Sequence, residues 1–198
     1  MEITIKKLTA DLAEEYARFF DTTPHWDTQP KDELPCYCIT WRSDDTYAGN
    51  GDHWYPAREE RRERAIRFIK DGSLQGYLAY CCGKIVGWCN ATAVCQGGVN
   101  HLRSYWPIEE YRADIKVKSV FCFMVAPEAQ RAGVATELLK YACKDAAGDG
   151  FDFIEAYVNT EYVSPDCRGP LPMYEKCGFF RCAERDGRVV VRKALKQA

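Results

Sequence analysis

VFCFMVAPEAQRAGVATELLKYACKDAA, residues 120–147, decides the fold. It opens with an apolar run, Val120 to Ala126, that is β-branched and aromatic and too short for a buried helix. Such a run predicts a strand buried on both faces. Pro127 has no N–H and ends the ladder. The bridge Glu128-Ala129-Gln130-Arg131-Ala132-Gly133 then leads into a helical pattern, with Ala135, Leu138, Leu139, Ala142 and Ala146 on one face. Gly148 and Gly150 stop that helix. A strand, a glycine-bearing loop and a helix opening on small residues form an anion site in outline. The first-turn N–H groups have no partner inside the helix, and the helix dipole adds positive potential. Gly133 leaves the backbone open to close approach, and Arg131 supplies a cation suited to phosphate. GxxxxGK[ST] and GxGxxG are both absent, which excludes the P-loop and the dinucleotide fingerprint.

Upstream, Tyr77 to Cys82 and Ile85 to about Cys95 predict two strands joined at Gly83-Lys84. A helix from Ala57 to Asp71 precedes them, opened by Pro56 and closed by Gly72. Its arginines alternate with glutamates, which predicts i,i+4 pairs on a wet face. Nearer the start, Glu2 to Lys6 alternates as a strand, and Thr9 is a candidate N-cap for a helix to about Phe20. Downstream, Phe151 to Val158 is a second apolar strand, and a strand-helix-strand crossover of this length implies parallel pairing with the central one. Pro170 to Lys176 predicts a short helix, and Asp186-Gly187 turns a final hairpin of Phe180–Arg185 and Arg188–Lys193.

Two stretches lose periodicity, about 21–56 and 96–116. The first holds seven acids (Asp21, Asp27, Asp32, Glu33, Asp44, Asp45 and Asp52) among many aromatic side chains. Acids among aromatics suit a cationic amine through charge and cation–π contact. The same stretch equally suits a solvated loop whose aromatics cap the core.

At 198 residues and 46% hydrophobic, the chain supports a single domain over 1–198, with those two stretches as insertions. A formal net charge of −2 argues against nucleic acid as the main partner. The N-terminus lacks the apolar core of a signal peptide, and the seven-residue run 120–126 is far short of a membrane span. Eleven cysteines without a CxxC read as reduced cytoplasmic thiols rather than a metal site.

Gln130-Arg131-Ala132-Gly133-Val134-Ala135, preceded by Val125-Ala126-Pro127, matches Q/R-x-x-G-x-G/A and resembles the acetyl-CoA motif of the GNAT superfamily of N-acetyltransferases. GKIVGW at 83–88 resembles the hairpin preceding that motif, and Tyr174-Glu175-Lys176-Cys177-Gly178-Phe179 resembles the family's Y-x-x-x-G-F. The specific motifs cover roughly 76–95 and 117–180. The resemblance implies an α/β (α+β) fold: a mixed, mostly antiparallel twisted sheet whose central parallel strands splay apart, flanked by helices. It implies acetyl-CoA as cosubstrate. Its pantetheine arm would lie in the gap against Phe123, Met124 and Val125. The amides of Gln130, Arg131, Ala132, Gly133, Val134, Ala135 and Thr136 would cradle the pyrophosphate, and Asn159 would contact pantetheine. Tyr174 would protonate the departing thiolate, and a backbone N–H near Val125 would hold the oxyanion. Arg168-Gly169-Pro170-Leu171-Pro172 departs from the family pattern, which often has Asn and no proline there.

An alkylamine of pKa about 10.4 must shed a proton, at a cost of roughly 4.6 kcal/mol at pH 7, so a base or a desolvating site is required. The position that carries a glutamate in some members is Ser119 here. Glu155, on the next strand, is the best remaining carboxylate and is the expected base, acting directly or through water. The expected activity is direct acetyl transfer to a primary amine, on a small cationic acceptor. Alternatives are a protein or peptide N-terminus as acceptor, a non-catalytic acyl-CoA sensor, and a thiol-based redox or metal-binding role. The final hairpin has an edge that could support a homodimer.

Overall fold

In the computed structural model, which describes residues 2–24, 37–39, 58–93, 114–161 and 166–196, the run at the heart of the sequence is the centre of a sheet. The described elements are β1 (Thr4–Lys7), α1 (Ala13–Thr22), α2 (Arg58–Lys70), β2 (Gly76–Cys81), β3 (Lys84–Ala93), β4 (Val117–Val125), α3 (Val134–Gly148), β5 (Phe153–Asn159), α4 (Leu171–Lys176), β6 (Phe180–Arg185) and β7 (Arg188–Ala194). Their strands lie in the order β1-β2-β3-β4-β5-β7-β6. Every neighbouring pair is antiparallel except β4 and β5. The exception follows from α3, whose length carries the chain back across the sheet before β5 begins.

Helices cover both faces. Leu138, Leu139 and Ala142 of α3 pack with Phe123 of β4, Ile154, Ala156 and Val158 of β5, and Tyr174 of α4. On the other face, Tyr16 and Phe20 of α1 and Ile66 and Ile69 of α2 pack with Trp88, Cys122 and Met124. Each large side chain so buried contributes about 1.5–3 kcal/mol. Gly87 sets how closely α3 approaches, because a Cβ there would lie 2.7 Å from a methyl of Val134. The glycine of GKIVGW is therefore a packing requirement between hairpin and helix.

Several boundaries differ from the sequence reading. β4 starts at Val117, before Val120, because Lys118 and Ser119 are buried with partners. Lys118 reaches Asp145 at 3.6 Å, and Ser119 donates to Glu155 at 3.0 Å. A 3-10 turn over Ala10–Leu12 precedes α1, which runs on to Thr22, so Asp21 is helical. The arginines of α2 are only partly wet-face pairs. Arg64 and Glu60 form one, but Arg61 is buried, and Arg62 and Arg58 reach across to Asp21 at 2.9 and 3.5 Å. These charges stitch α2 to α1. Beside them, the Tyr16 hydroxyl donates to the Tyr37 carbonyl, and the Cys38 and Cys122 sulfurs lie 2.7 Å apart. Most of the stretches 21–56 and 96–116 lie outside the described residues.

A β-bulge shapes the centre. Asn90 pairs with Cys122 and Ala91 with Val120, which leaves Phe121 as an extra residue of β4. Bulges add twist and bend the strand that carries them. This one falls directly after Val120↔Ala156, the last pair between β4 and β5. Among the described residues, no helix is long and apolar enough to cross a membrane.

Candidate active site

Beyond Val120↔Ala156 the two parallel strands part, although β4 continues to Val125 and β5 to Asn159. The amide of Phe123 points into the gap and donates to the carbonyl of Cys167 at 2.6 Å. Across the gap, Asn159 donates from Nδ2 to Asp166 Oδ2 at 2.8 Å. Tyr174 closes the group: its hydroxyl donates to the carbonyl of Arg168 at 2.7 Å, and its ring lies 6.4 Å from that of Phe123. Three residues singled out from the sequence thus converge on three consecutive ones, Asp166, Cys167 and Arg168, that no sequence motif marks.

The prolines before Tyr174 do not displace it. Pro170 caps α4 and Pro172 sits in its first turn, where a missing N–H costs no helical bond. Tyr174 is buried, and burial pushes its hydroxyl well above the usual tyrosine range, with Cys89 and Asp166 adding to it. It therefore keeps its proton at neutral pH and acts as a hydrogen-bond donor.

The loop between β4 and α3 presents a different surface. Residues 130–133 are exposed. Arg131 and Gly133 both take left-handed conformations, φ 60° and 85°. A Cβ at Gly133 would meet no atom within 4 Å. The first intrahelical bond runs from the Glu137 amide to the Gly133 carbonyl, so the amides of Val134, Ala135 and Thr136 precede it. The amides of Gln130 and Ala132 are turned inward, to Pro127 and Ala129 at 3.3 and 3.4 Å. The Gln130 side chain also folds back, to the Val125 carbonyl. Met124 keeps its register with Trp88, and its side chain belongs to the face of α1 and α2.

The sequence matches the model of the acetyltransferase (GNAT) family over residues 5–179. The chain belongs to the GNAT family. No curated protein matches it. Among solved structures, the polyamine N-acetyltransferase of Drosophila melanogaster, which forms N-acetylagmatine, superposes with a TM-score of 0.59 at 10% identity, over 98% of this chain and 100% of that one. The ribosomal-protein-alanine N-acetyltransferase of Brucella melitensis gives 0.53 at 13%, over 96% and 99%. A GNAT acetyltransferase of Streptococcus pneumoniae gives 0.53 at 16%, over 98% and 99%. At these identities the likeness is one of fold.

In this GNAT acetyltransferase, Glu155 lies on the other side of the sheet from Tyr174. Ile154, Ala156 and Val158 face α3, so Glu155 and Tyr157 face the opposite way. Glu155 is fully buried. Its Oε1 accepts from the hydroxyls of Ser119 and Tyr157, and its Oε2 from Arg192 at 3.0 Å. The Tyr157 ring in turn stacks on Phe121, the bulged residue. Arg192 and Tyr157 are partners of Glu155 that the sequence did not point to. Only the break that Arg192 makes in the run Val189–Val191 hints at a polar partner inside.

Proposed function

We propose that this GNAT protein is an acetyl-CoA-dependent N-acetyltransferase that moves the acetyl group directly to the primary amine of a small cationic acceptor. The observation that carries the reading is the parting of β4 and β5, with the Phe123 amide, Asn159 and Tyr174 all directed into the gap. An extended amide chain fits such a gap as an added strand would. The residues fit the cosubstrate at its other end too, where the loop 130–133 is exposed and Gly133 leaves its outer side clear.

Acetyl-CoA supplies the acyl group as a thioester. Arg131 and the amides of Arg131 and Gly133 to Thr136 would hold the pyrophosphate, with Gln130 and Ala132 shaping the turn. Phe123 to Val125 and Asn159 would line the pantetheine arm. The Phe123 N–H is the kind of fixed donor that stabilises charge growing on a thioester oxygen. Tyr174 gives its hydrogen bond to the departing sulfur. Glu155 takes the amine's proton by relay: the proton passes to the Ser119 or Tyr157 oxygen as that hydroxyl's own proton moves to Oε1. Acid and base thus work from opposite faces of the sheet, Tyr174 at the gap and Glu155 beside the paired stretch that precedes it.

The cationic acceptor is supported by the acids of the 21–56 stretch and by the fold likeness to a polyamine enzyme. Asp21 does not contribute to it, being held by Arg58, Arg62 and Tyr37. The test is CoA release from acetyl-CoA with polyamines, aminoglycosides, amino acids and short peptides, with the protein's own thiols subtracted. Release with a polyamine-like amine is expected. Release only with peptides would move the acceptor to a protein N-terminus, and binding without release to any amine would make the protein an acyl-CoA sensor.

A further inference from the structure

The gap between β4 and β5 is filled by the chain itself. We infer that Asp166, Cys167 and Arg168 form a strap that competes with the pantetheine arm for one slot, so that acetyl-CoA must displace it. This rests on the functional reading above and adds a regulated entry step to it.

The strap uses the slot's own donors in order. Asp166 takes Asn159, the Cys167 carbonyl takes the Phe123 amide, and the Arg168 carbonyl takes the Tyr174 hydroxyl. The Phe123 amide and the Tyr174 hydroxyl each have a single hydrogen, while the Asn159 amide has two, one of which goes to Asp166. With the Cys167 oxygen 2.6 Å from the Phe123 nitrogen, a second acceptor has no room at that hydrogen. Phe123 and Tyr174 are both buried. A buried N–H or O–H left without an acceptor is costly, so strap and ligand must exchange, one set of acceptors replacing the other. Asp166 also holds the strap's shape, accepting from the Arg168 amide at 2.9 Å.

A strapped slot lowers apparent affinity in proportion to the time it spends closed. The experiment is calorimetric titration with S-ethyl-CoA, a thioether that cannot transfer its group. Wild type is compared with Asp166→Ala, which deletes two of the strap's bonds while leaving Phe123, Asn159 and Tyr174 in place. Loss of those bonds is expected to tighten binding by ~5- to 30-fold. The gain should persist in ~0.5 M salt, which screens a simple loss of negative charge near an anionic ligand. Binding that is unchanged, weaker, or tighter only at low salt overturns the strap. Absence of binding by both proteins overturns instead the transferase reading on which it rests. Should Asp166→Ala fail to fold, wild-type protein suffices: alkylation of Cys167 by iodoacetamide, followed by peptide mass spectrometry, should speed several-fold when S-ethyl-CoA saturates the site. An unchanged or slower rate at saturation overturns the proposal.

Discussion

β4 and β5 behave as two different structures along one seam. From Val117 to Val120 they are paired in register and tied from the side by a buried network of Ser119, Glu155, Tyr157 and Arg192. From Phe121 to Val125 they are parted, and the strand edge bonds to a loop carbonyl. The lower half uses its polar groups on one another. The upper half offers its donors to something exchangeable. The bulge at Phe121 marks the border, and Phe121 itself stacks on Tyr157 of the network below. Holding the lower half shut is what allows the upper half to open without unravelling the sheet. Glu155 sits in the lower half, so any role it has as a base is exercised through its hydroxyl partners.

The sharpest way to break this division is Arg192→Ala. It would strand the Glu155 carboxylate without its cation in a fully buried site. Removing one partner of a buried ion pair costs about 3–5 kcal/mol, to be read from the urea midpoint. Arg192→Ala with Glu155→Leu should recover much of that loss, because no buried charge is then left over. A loss below about 1 kcal/mol for the single variant would mean that the lower half is not held by this network.

The upper half is probed by Tyr174→Phe. With the phenol buried and kept protonated, the role proposed for it is one hydrogen bond to the leaving sulfur. The variant should lower kcat by ~10- to 50-fold and leave KM for acetyl-CoA within a few-fold. A change confined to KM would place Tyr174 in binding alone. Farther along the same slot, Arg131→Ala removes an exposed cation from the loop. It should raise KM for acetyl-CoA by ~5- to 10-fold with kcat preserved, more at low salt than at high.

The upper half was the more legible of the two. Val120 to Ala126, Pro127 and the spaced alanines and leucines of 135–146 carry strand, stop and helix in local pattern, and Gly133 and Tyr174 stand in recognisable spacings. The lower half is polar where it is buried. Lys118 and Ser119 break the apolar run, and what makes them buriable, Asp145 and Glu155, is far off in sequence. Arg192 is legible only once β7 is known to lie beside β5, and the final hairpin does not declare which of its strands does so. The strap has no period at all, since Asp166 to Arg168 owes its place to the donors it meets.

The third side of this seam, where β4 meets β3, carries the smallest effect. Cys89 stands opposite Phe123 in the β3–β4 ladder, and it packs with Cys143 of α3 in one core. Burial pushes the Cys143 thiol up to about 11 and Cys89 higher still. An acid whose folded pKa is raised favours the fold as long as it stays neutral. Its contribution is therefore whole below the unfolded value near ~8.5 and drains away as pH rises through about 11 for Cys143. Between pH 7.5 and 9.5, under reducing conditions, Cys143 should cost the wild type about 1 kcal/mol of unfolding free energy. Cys143→Ala should be less stable at pH 7.5 but lose correspondingly less over that interval. Equal pH slopes for the two proteins would show that water reaches this thiol, and that the side of β4 behind Phe123 is no more closed than the gap in front of it.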